Sequence, residues 1–407
     1  MPKLLQVNVT ANWGSHGRIA EGIGRLAIKN GWDSYISYGR MGSNSESKLL
    51  KIGNSLDVYM HVAESRLLDN HGLGSQKATE KFLNEVRLIN PDIIHLHNIH
   101  GYYINYLILF NFLRAVKIPV IWTFHDCWPF TGHCTHPTYS GCLQWYNHCK
   151  NPCPQRGEYP ISWFADRCKR NYKLKKNLFC RVDNLHIVTV SKWLEREVRK
   201  SFFKDKDIKC IYNGIDTNIF APTNYNGLKE KHHILEGEKV VLGVASIWEK
   251  RKGLLDFYKL REILPSDYRI ILIGLSDKQR KSMPDGIIGV NRVNGQNELA
   301  AYYSMANIYV NPSQAESFGM TTAEALACGT PVIVYDVTAC PEIVDPNTGR
   351  VVRQGDTNGL ANEIINICER KNISSFKDAC RDRAKKMFDV NERYQDYMNL
   401  YNSILGM

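Results

Sequence analysis

The sequence predicts an α/β protein of two domains, each a doubly wound parallel sheet with helices on both faces. Three observations carry this. The chain has 407 residues, too many for one hydrophobic core, and 43% of them are apolar, enough to fill two. Short β-branched runs alternate with longer helical stretches in both halves. A turn-rich stretch, Asn213-Gly-Ile-Asp216 followed by Ala221-Pro-Thr-Asn-Tyr-Asn-Gly227, separates the two series.

In the first half, strands are expected at residues 4–9, 34–38, 93–97, 120–124 and 187–190. In the second, they are expected at 240–244, 268–273, 308–311 and 332–335. The domains are therefore set at 1–220 and 221–407. A helical stretch with Phe388, Tyr394, Tyr397 and Tyr401 closes the chain, and its composition leaves open whether it stays with the second domain or packs back on the first.

The formal net charge of +11 calls for anionic partners: nucleotide phosphates, an acidic membrane surface or nucleic acid. The aromatics are scattered through the expected core and no zinc-finger or RNA-binding motif is present, which argues against nucleic acid. No apolar run approaches the roughly 20 residues of a membrane-spanning helix. Met-Pro-Lys-Leu-Leu-Gln-Val-Asn-Val at the start reads as a strand and not as a signal peptide, so a cytoplasmic location is expected.

With 12 cysteines in a large chain without an export signal, reduced thiols or a metal site are expected rather than disulfides. Cys134, Cys142, Cys149 and Cys153 fall in a loop-like insertion at about 127–155 that is rich in Gly, Pro, His and Tyr. Four thiolates can close a tetrahedral structural zinc site and stabilise a segment short of core. Free cysteines are the alternative, and Cys127, His133, His136 and His148 are rival ligands.

The richest stretch is Glu316-Ser-Phe-Gly-Met-Thr-Thr-Ala-Glu324-Ala-Leu-Ala-Cys-Gly-Thr-Pro-Val-Ile333. Gly319 lets the backbone approach a ligand, and a helix beginning at Met320 presents unpaired amides to a phosphate. Glu316 falls before that helix and Glu324 within it, so the two carboxylates can meet opposite ends of one extended ligand. Other polar residues follow strands, where open parallel sheets bind ligands. They are Asn12-Trp-Gly14-Ser15-His16-Gly17-Arg18, His125-Asp126, and Ala245-Ser-Ile-Trp-Glu-Lys250-Arg251-Lys252-Gly253. The first is glycine-rich without the Gly-x-Gly-x-x-Gly of a nicotinamide site. The last sets cations beside a glycine, which suits a diphosphate.

In this order the residues resemble the retaining family-four glycosyltransferases of the GT-B fold, in which two Rossmann-like domains face across a cleft. The similarity runs through the Gly14 loop, Pro91-Asp-Ile-Ile-His-Leu-His97, Thr123-Phe-His125-Asp126, Thr189-Val-Ser191 and Ile211-Tyr-Asn-Gly-Ile-Asp216. It continues through Lys252-Gly253, Val310-Asn-Pro-Ser-Gln-Ala-Glu316, the Glu316 and Glu324 pair, and Ala339-Cys-Pro-Glu342-Ile. His125-Asp-Cys-Trp-Pro-Phe-Thr-Gly-His-Cys134 with the later cysteines is similar to the colanic-acid-type subgroup that builds bacterial surface polysaccharides.

The resemblance implies a nucleoside diphosphate sugar donor, UDP- or GDP-linked, and no catalytic metal. Glu324 is then expected on the ribose and Glu316 on the donor sugar. The amides of Gly319, Met320 and Thr321, beside Phe318, are expected on the diphosphate with Lys252 and Arg251. His125 is expected on the sugar from the first domain, and the loop of Gly14, Ser15, Gly17 and Arg18 over the phosphates. One departure concerns the cations: the family's Gly-Arg after the first strand of the donor domain is Ala245-Ser246 here. The acceptor is expected to be a saccharide or a polyprenyl-diphosphate-linked sugar. The segments Trp163-Phe-Ala-Asp-Arg-Cys-Lys-Arg170 and Lys173-Leu-Lys-Lys176 read either as a solvated basic helix or as a contact with the inner face of an anionic membrane. A sugar-nucleotide epimerase and a non-catalytic sugar-nucleotide or nucleic-acid binder are the alternatives.

Overall fold

The computed structural model describes residues 1–370 and 372–407. Among these the chain forms two units, Met1–Ile211 with Tyr394–Met407, and Tyr212–Arg393. The boundary thus precedes residue 220. Ile215 explains the shift: its amide donates to the Phe388 carbonyl at 2.7 Å and its own carbonyl accepts from Val390 at 3.0 Å, tying the turn to the second unit. The closing helix, Val390–Leu405, enters the first unit at Tyr394. There Tyr397 and Tyr401 pack among Leu4, Ile19, Ile93 and Ile121.

The first unit holds a seven-stranded sheet of β1 (Lys3–Asn8), β2 (Asp33–Tyr38), β3 (Lys48–Lys51), β4 (Ile93–Leu96), β5 (Val120–Phe124), β6 (Leu185–Thr189) and β7 (Asp207–Cys210). The strands are parallel, in the order β3-β2-β1-β4-β5-β6-β7. The second unit holds β8 (Lys239–Val244), β9 (Tyr268–Ile273), β10 (Ile287–Val290), β11 (Ile308–Asn311), β12 (Val332–Tyr335) and β13 (Gly349–Val352). These are also parallel, in the order β10-β9-β8-β11-β12-β13. In each sheet the winding reverses once, at β1/β4 and at β8/β11, which opens a ligand crevice at the carboxyl ends of those strands.

Every strand expected from sequence is present, because central strands are buried on both faces and read as apolar runs. β3, β7, β10 and β13 were not foreseen, and all four are sheet edges. β3, Lys-Leu-Leu-Lys, is mostly exposed and blunts its edge with two lysines.

The glycine-rich segment after β1 is not an open loop. It forms the first turns of the helix Gly14–Lys29, with Gly14 in the left-handed region at φ 68°. A Cβ at Gly17 would lie 2.6 Å from Thr10 Oγ1, so this glycine lets the helix pack onto the end of β1.

The cysteine-rich insertion is irregular, with short 3-10 turns at Trp128–Phe130, Pro137–Ser140 and Gln144–Tyr146. Contrary to expectation it has an apolar core of its own: Trp128, Phe130 and Trp145 are buried, and the rings of Phe130 and Trp145 are 4.9 Å apart. Lys175 closes it from below, donating to the carbonyls of Trp128 (2.7 Å) and Thr131 (3.1 Å) with its ammonium over the Trp128 ring. Among the described residues no helix is long and apolar enough to cross a membrane.

Candidate functional site

In the second unit, the loops that follow β8 and β11 meet at the switch point and bring opposite charges together. The β8 loop ends in a 3-10 turn, Lys250–Lys252, then Gly253 at φ 75°. A Cβ on Gly253 would sit 2.3 Å from the Pro312 carbonyl, so only glycine lets this loop lie against the β11 loop. Arg251 fastens the two: its guanidinium donates to the Ala315 carbonyl at 2.5 Å, and its own carbonyl accepts from the Gln314 amide at 2.8 Å. Lys252 is thereby placed against Glu316, Nζ to Oε1 2.5 Å. Replacing Gly253 by Ala is expected to cost about 2 kcal/mol in stability from the strained backbone alone. The urea midpoint should fall without a change in m-value, and an unmoved midpoint would show that the loops do not need this contact.

Glu316 is largely buried, which by itself raises a carboxyl pKa. The charges of Lys252 and Arg251, with hydrogen bonds from Lys252 and Ser313, outweigh burial and hold it below the usual value. At neutral pH this is a carboxylate fixed by a lysine. Its backbone is fixed as well, because the Glu316 amide donates to Thr338 Oγ1 at 2.8 Å.

Gly319, at φ 106°, turns the chain into the eight-residue helix Met320–Ala327. The amides of Gly319, Met320 and Thr321 precede the first carbonyls of that helix and carry its positive end. Thr321 is oriented by Tyr309, whose hydroxyl donates to Thr321 Oγ1 at 2.7 Å. Down the helix, Glu324 accepts from the Tyr303 hydroxyl at 3.0 Å. The site thus runs from an ion pair, past a helix amino end, to a second carboxylate held by a tyrosine. Such an array can bind a ligand with an anionic middle and hydroxyls at both ends.

Two expectations change. Phe318 is buried against Tyr212 and Phe388, with centroids at 6.0 and 5.5 Å, so its ring is part of the core of the unit. Arg251 commits part of its fork to Ala315 and acts on the site as a staple and a nearby charge. Ala245, in the place of the family's glycine, packs its carbonyl where a Cβ at Gly274 would come within 1.7 Å. No local sequence signal marked Tyr303, Tyr309 or Thr338, which reach the site from other elements. Gly253 lay in a recognised segment, but its packing role did not show.

His125, Gly14, Ser15, Gly17 and Arg18 belong to the first unit. His125 follows β5 and its Nε2 lies 3.3 Å from His97 Nδ1. The tautomers can be assigned from the chain of partners. Gln6 donates through Nε2 to the Ala20 carbonyl at 2.7 Å, so its oxygen faces His97 Nε2 at 3.0 Å and that nitrogen must donate. His97 Nδ1 is then an acceptor and His125 Nε2 a donor. Burial first, then the neighbouring His97 and His16, push the His125 pKa well below 6.5, so the ring is neutral. His16, in the first turn of the helix Gly14–Lys29, has its ring 6.0 Å from that of His125. Beside them, buried Asp126 accepts from the Trp128 amide at 2.8 Å and pairs with His100 Nε2 at 2.9 Å. Burial would raise its pKa, but His100 outweighs burial and brings it to about 2.

Of the four cysteines proposed to share a site, Cys134, Cys149 and Cys153 are buried together, whereas Cys142 is partly exposed. Cys168, outside the expected insertion, is buried with the three.

Comparison with known proteins agrees with this architecture. The family model "Glycosyltransferase Family 4" matches residues 39–219, and "Glycosyl transferases group 1" matches 238–370. The putative colanic acid biosynthesis glycosyl transferase WcaC of Escherichia coli K12 is 22% identical over 98% of this chain and 100% of its own length. Among solved structures, sucrose-phosphate synthase of Thermosynechococcus elongatus has a TM-score of 0.73 at 18% identity, over 100% of both chains. Anabaena Alr3699/HepE in complex with UDP has a TM-score of 0.70 at 14% identity, over 99% of this chain and 100% of that one. Two parallel sheets, each reversing once, and family matches in both units agree: the chain belongs to the glycosyltransferases of GT-B fold, with a Glycosyltransferase Family 4 domain followed by a group 1 domain.

Proposed function

We propose that the chain is a retaining hexosyltransferase that takes a sugar from a nucleoside diphosphate sugar and adds it to a growing surface polysaccharide or a polyprenyl-diphosphate-linked saccharide. The observation that carries this reading is the Lys252 and Glu316 pair set beside the amino end of the helix Met320–Ala327. Breaking the bond between the anomeric carbon and the phosphate puts positive charge on the sugar and negative charge on the diphosphate. Lys252 and the amides of Gly319, Met320 and Thr321 stabilise the second, and the carboxylate of Glu316 faces the first and its hydroxyls. Glu324, steadied by Tyr303, takes the ribose. Arg251 adds its charge from the loop staple.

No step here calls for a metal. Retention follows from attack on the face the diphosphate leaves, with the departing phosphate accepting the acceptor's proton. In the first unit, His125, whose ring is neutral, and Gly14, Ser15, Gly17 and Arg18 at the start of their helix are the donor contacts that the family resemblance suggests. The complexes of HepE with UDP and with UDP-glucose, at TM-scores of 0.70 and 0.68, favour a uridine nucleotide as the first to try. Trp163 and Phe164 are 54% and 73% exposed, and Arg66 lies over the Trp163 ring at 5.1 Å. This apolar, basic spot suits peripheral attachment to an anionic membrane surface, which would bring the enzyme to a lipid-linked acceptor.

The test is nucleoside diphosphate release from UDP- and GDP-sugars, with and without lipid-linked saccharides, with the donor checked for isomerisation. Release that depends on acceptor, and a product that keeps the donor's anomeric configuration, support the reading. Donor isomerised without acceptor would make the chain an epimerase, and binding without turnover a sensor. In the same system Glu324→Ala is expected to weaken nucleotide binding about tenfold by titration calorimetry and to change kcat little, because the ribose contact is equal in ground and transition states. Unchanged affinity would remove Glu324 from the ribose.

A further inference from the structure

We propose that Cys134, Cys149, Cys153 and Cys168 form a structural zinc site, with Cys168 in the place that sequence spacing gave to Cys142. The four thiols are buried, and they neighbour one another in the pairs Cys134 and Cys153, Cys153 and Cys168, and Cys168 and Cys149. Zn–S bonds of about 2.3 Å in a tetrahedron hold sulfurs about 3.8 Å apart. Among the described residues no three His, Cys, Asp or Glu side chains already stand as a coordination cage, so the ion must draw these sulfurs in.

The surroundings are those of a thiolate site. The Gly132 amide donates to Cys149 Sγ at 3.2 Å. A Cβ on Gly132 would lie 2.7 Å from Cys168 Sγ, so glycine leaves that sulfur its room. The Asp166 carboxylate accepts from the amides of Cys153 (2.6 Å) and Cys168 (3.1 Å), holding two of the ligand-bearing backbones together. On binding, four S–H protons leave to solvent and one Zn²⁺ enters, giving a centre of net charge −2. Lys175, anchored on the carbonyls of Trp128 and Thr131, is the adjacent cation. Cys142, by contrast, is partly exposed. Of the histidine rivals, His133 is turned by its Nδ1 to Asp69 at 2.7 Å, and its Nε2 is buried without a partner. It stands near Cys153 and is a rival ligand, as is buried Cys127 beside Cys134. The insertion begins directly after Asp126, so a cross-link here would fix the segment that adjoins His125.

The full chain, purified without chelator from zinc-supplemented cells, should contain about one zinc per molecule by elemental analysis. Cys168→Ser should fall below about a third of an equivalent, while Cys142→Ser keeps the wild-type content. Less than about a tenth of an equivalent in folded wild-type protein would overturn the proposal, as would metal lost from Cys142→Ser and kept by Cys168→Ser. If Cys168→Ser does not fold, X-ray absorption of the zinc in the wild-type protein decides. Four sulfur neighbours support the assignment, whereas three sulfurs and a nitrogen, or disulfides among these cysteines, overturn it.

Discussion

Glu316→Gln is expected to lower kcat about 10²- to 10³-fold while leaving donor affinity within about threefold of wild type. Glutamine keeps the shape of the side chain and its hydrogen bonding to sugar hydroxyls, but removes the negative charge. In the ground state the donor sugar is neutral, so that charge contributes little to binding. In the transition state the sugar is cationic, and a carboxylate already held in place by Lys252 and largely removed from water stabilises it without having to reorganise. The same substitution frees Lys252, whose ammonium then stays on the diphosphate side, so binding is not expected to collapse. Initial rates of nucleoside diphosphate release at saturating donor and acceptor measure the effect. If the variant kept more than about a third of wild-type kcat, Glu316 would not be the residue that meets the developing charge. The pH profile offers a second check. Lys252 and Arg251 keep Glu316 ionised below the ordinary carboxylate range, so its protonation should not limit kcat in mildly acidic buffer.

What could be read from the chain and what could not follow from whether a signal is local. The central strands β1, β4, β5, β8, β11 and β12 are apolar runs because both faces are covered, and a run is visible in any short window. Edge strands such as β3 gain their identity from one hydrogen-bonded neighbour, which sequence does not reveal. The Glu316 to Glu324 stretch was legible because a glycine, a helix start and two carboxylates sit in one segment. The residues that hold those groups were not. Tyr303 lies in the helix Gln296–Met305 and Thr338 beyond β12, and each reaches the site through tertiary packing. The cysteines show the same limit. Spacing favours Cys142, but the fold brings Cys168, at the start of the helix Cys168–Phe179, to the other three. Gly253 and Gly17 read as loop glycines, yet each is fixed by an atom that a Cβ would strike.

Acid should destabilise the first unit well before it affects its carboxylates. His61 is fully buried, its Nδ1 2.9 Å from Ser75 Oγ and its Nε2 accepting from the amides of Gly72 (3.0 Å) and Gly74 (3.3 Å). An amide can only donate, so Nε2 carries no proton, and adding one sets N–H against N–H. Burial lowers this pKa from 6.5 to about 4. His95, between Tyr401 (2.6 Å) and Thr123 (2.8 Å), is lowered to about 3, by burial first and then by His125. Both groups bind fewer protons folded than unfolded between pH 6.5 and these values, so their stabilisation is complete above pH 6.5 and is lost as pH falls below it. Each contributes a slope of about 1.4 kcal/mol per pH unit, so His61 alone removes about 3 kcal/mol by pH 4 and the pair about twice that. Against a usual total of about 5–15 kcal/mol, this is a large share of the stability. Urea titrations at pH 7.5, 6 and 5 and constant ionic strength, followed by tryptophan fluorescence, should show the first unit's midpoint falling at each step. His61→Gln keeps an acceptor for the two glycine amides but cannot take up a proton, so it should flatten the slope by about one proton's worth. A midpoint unchanged from pH 7.5 to 5 would mean that these rings are not the buried neutral acceptors that their hydrogen bonds require.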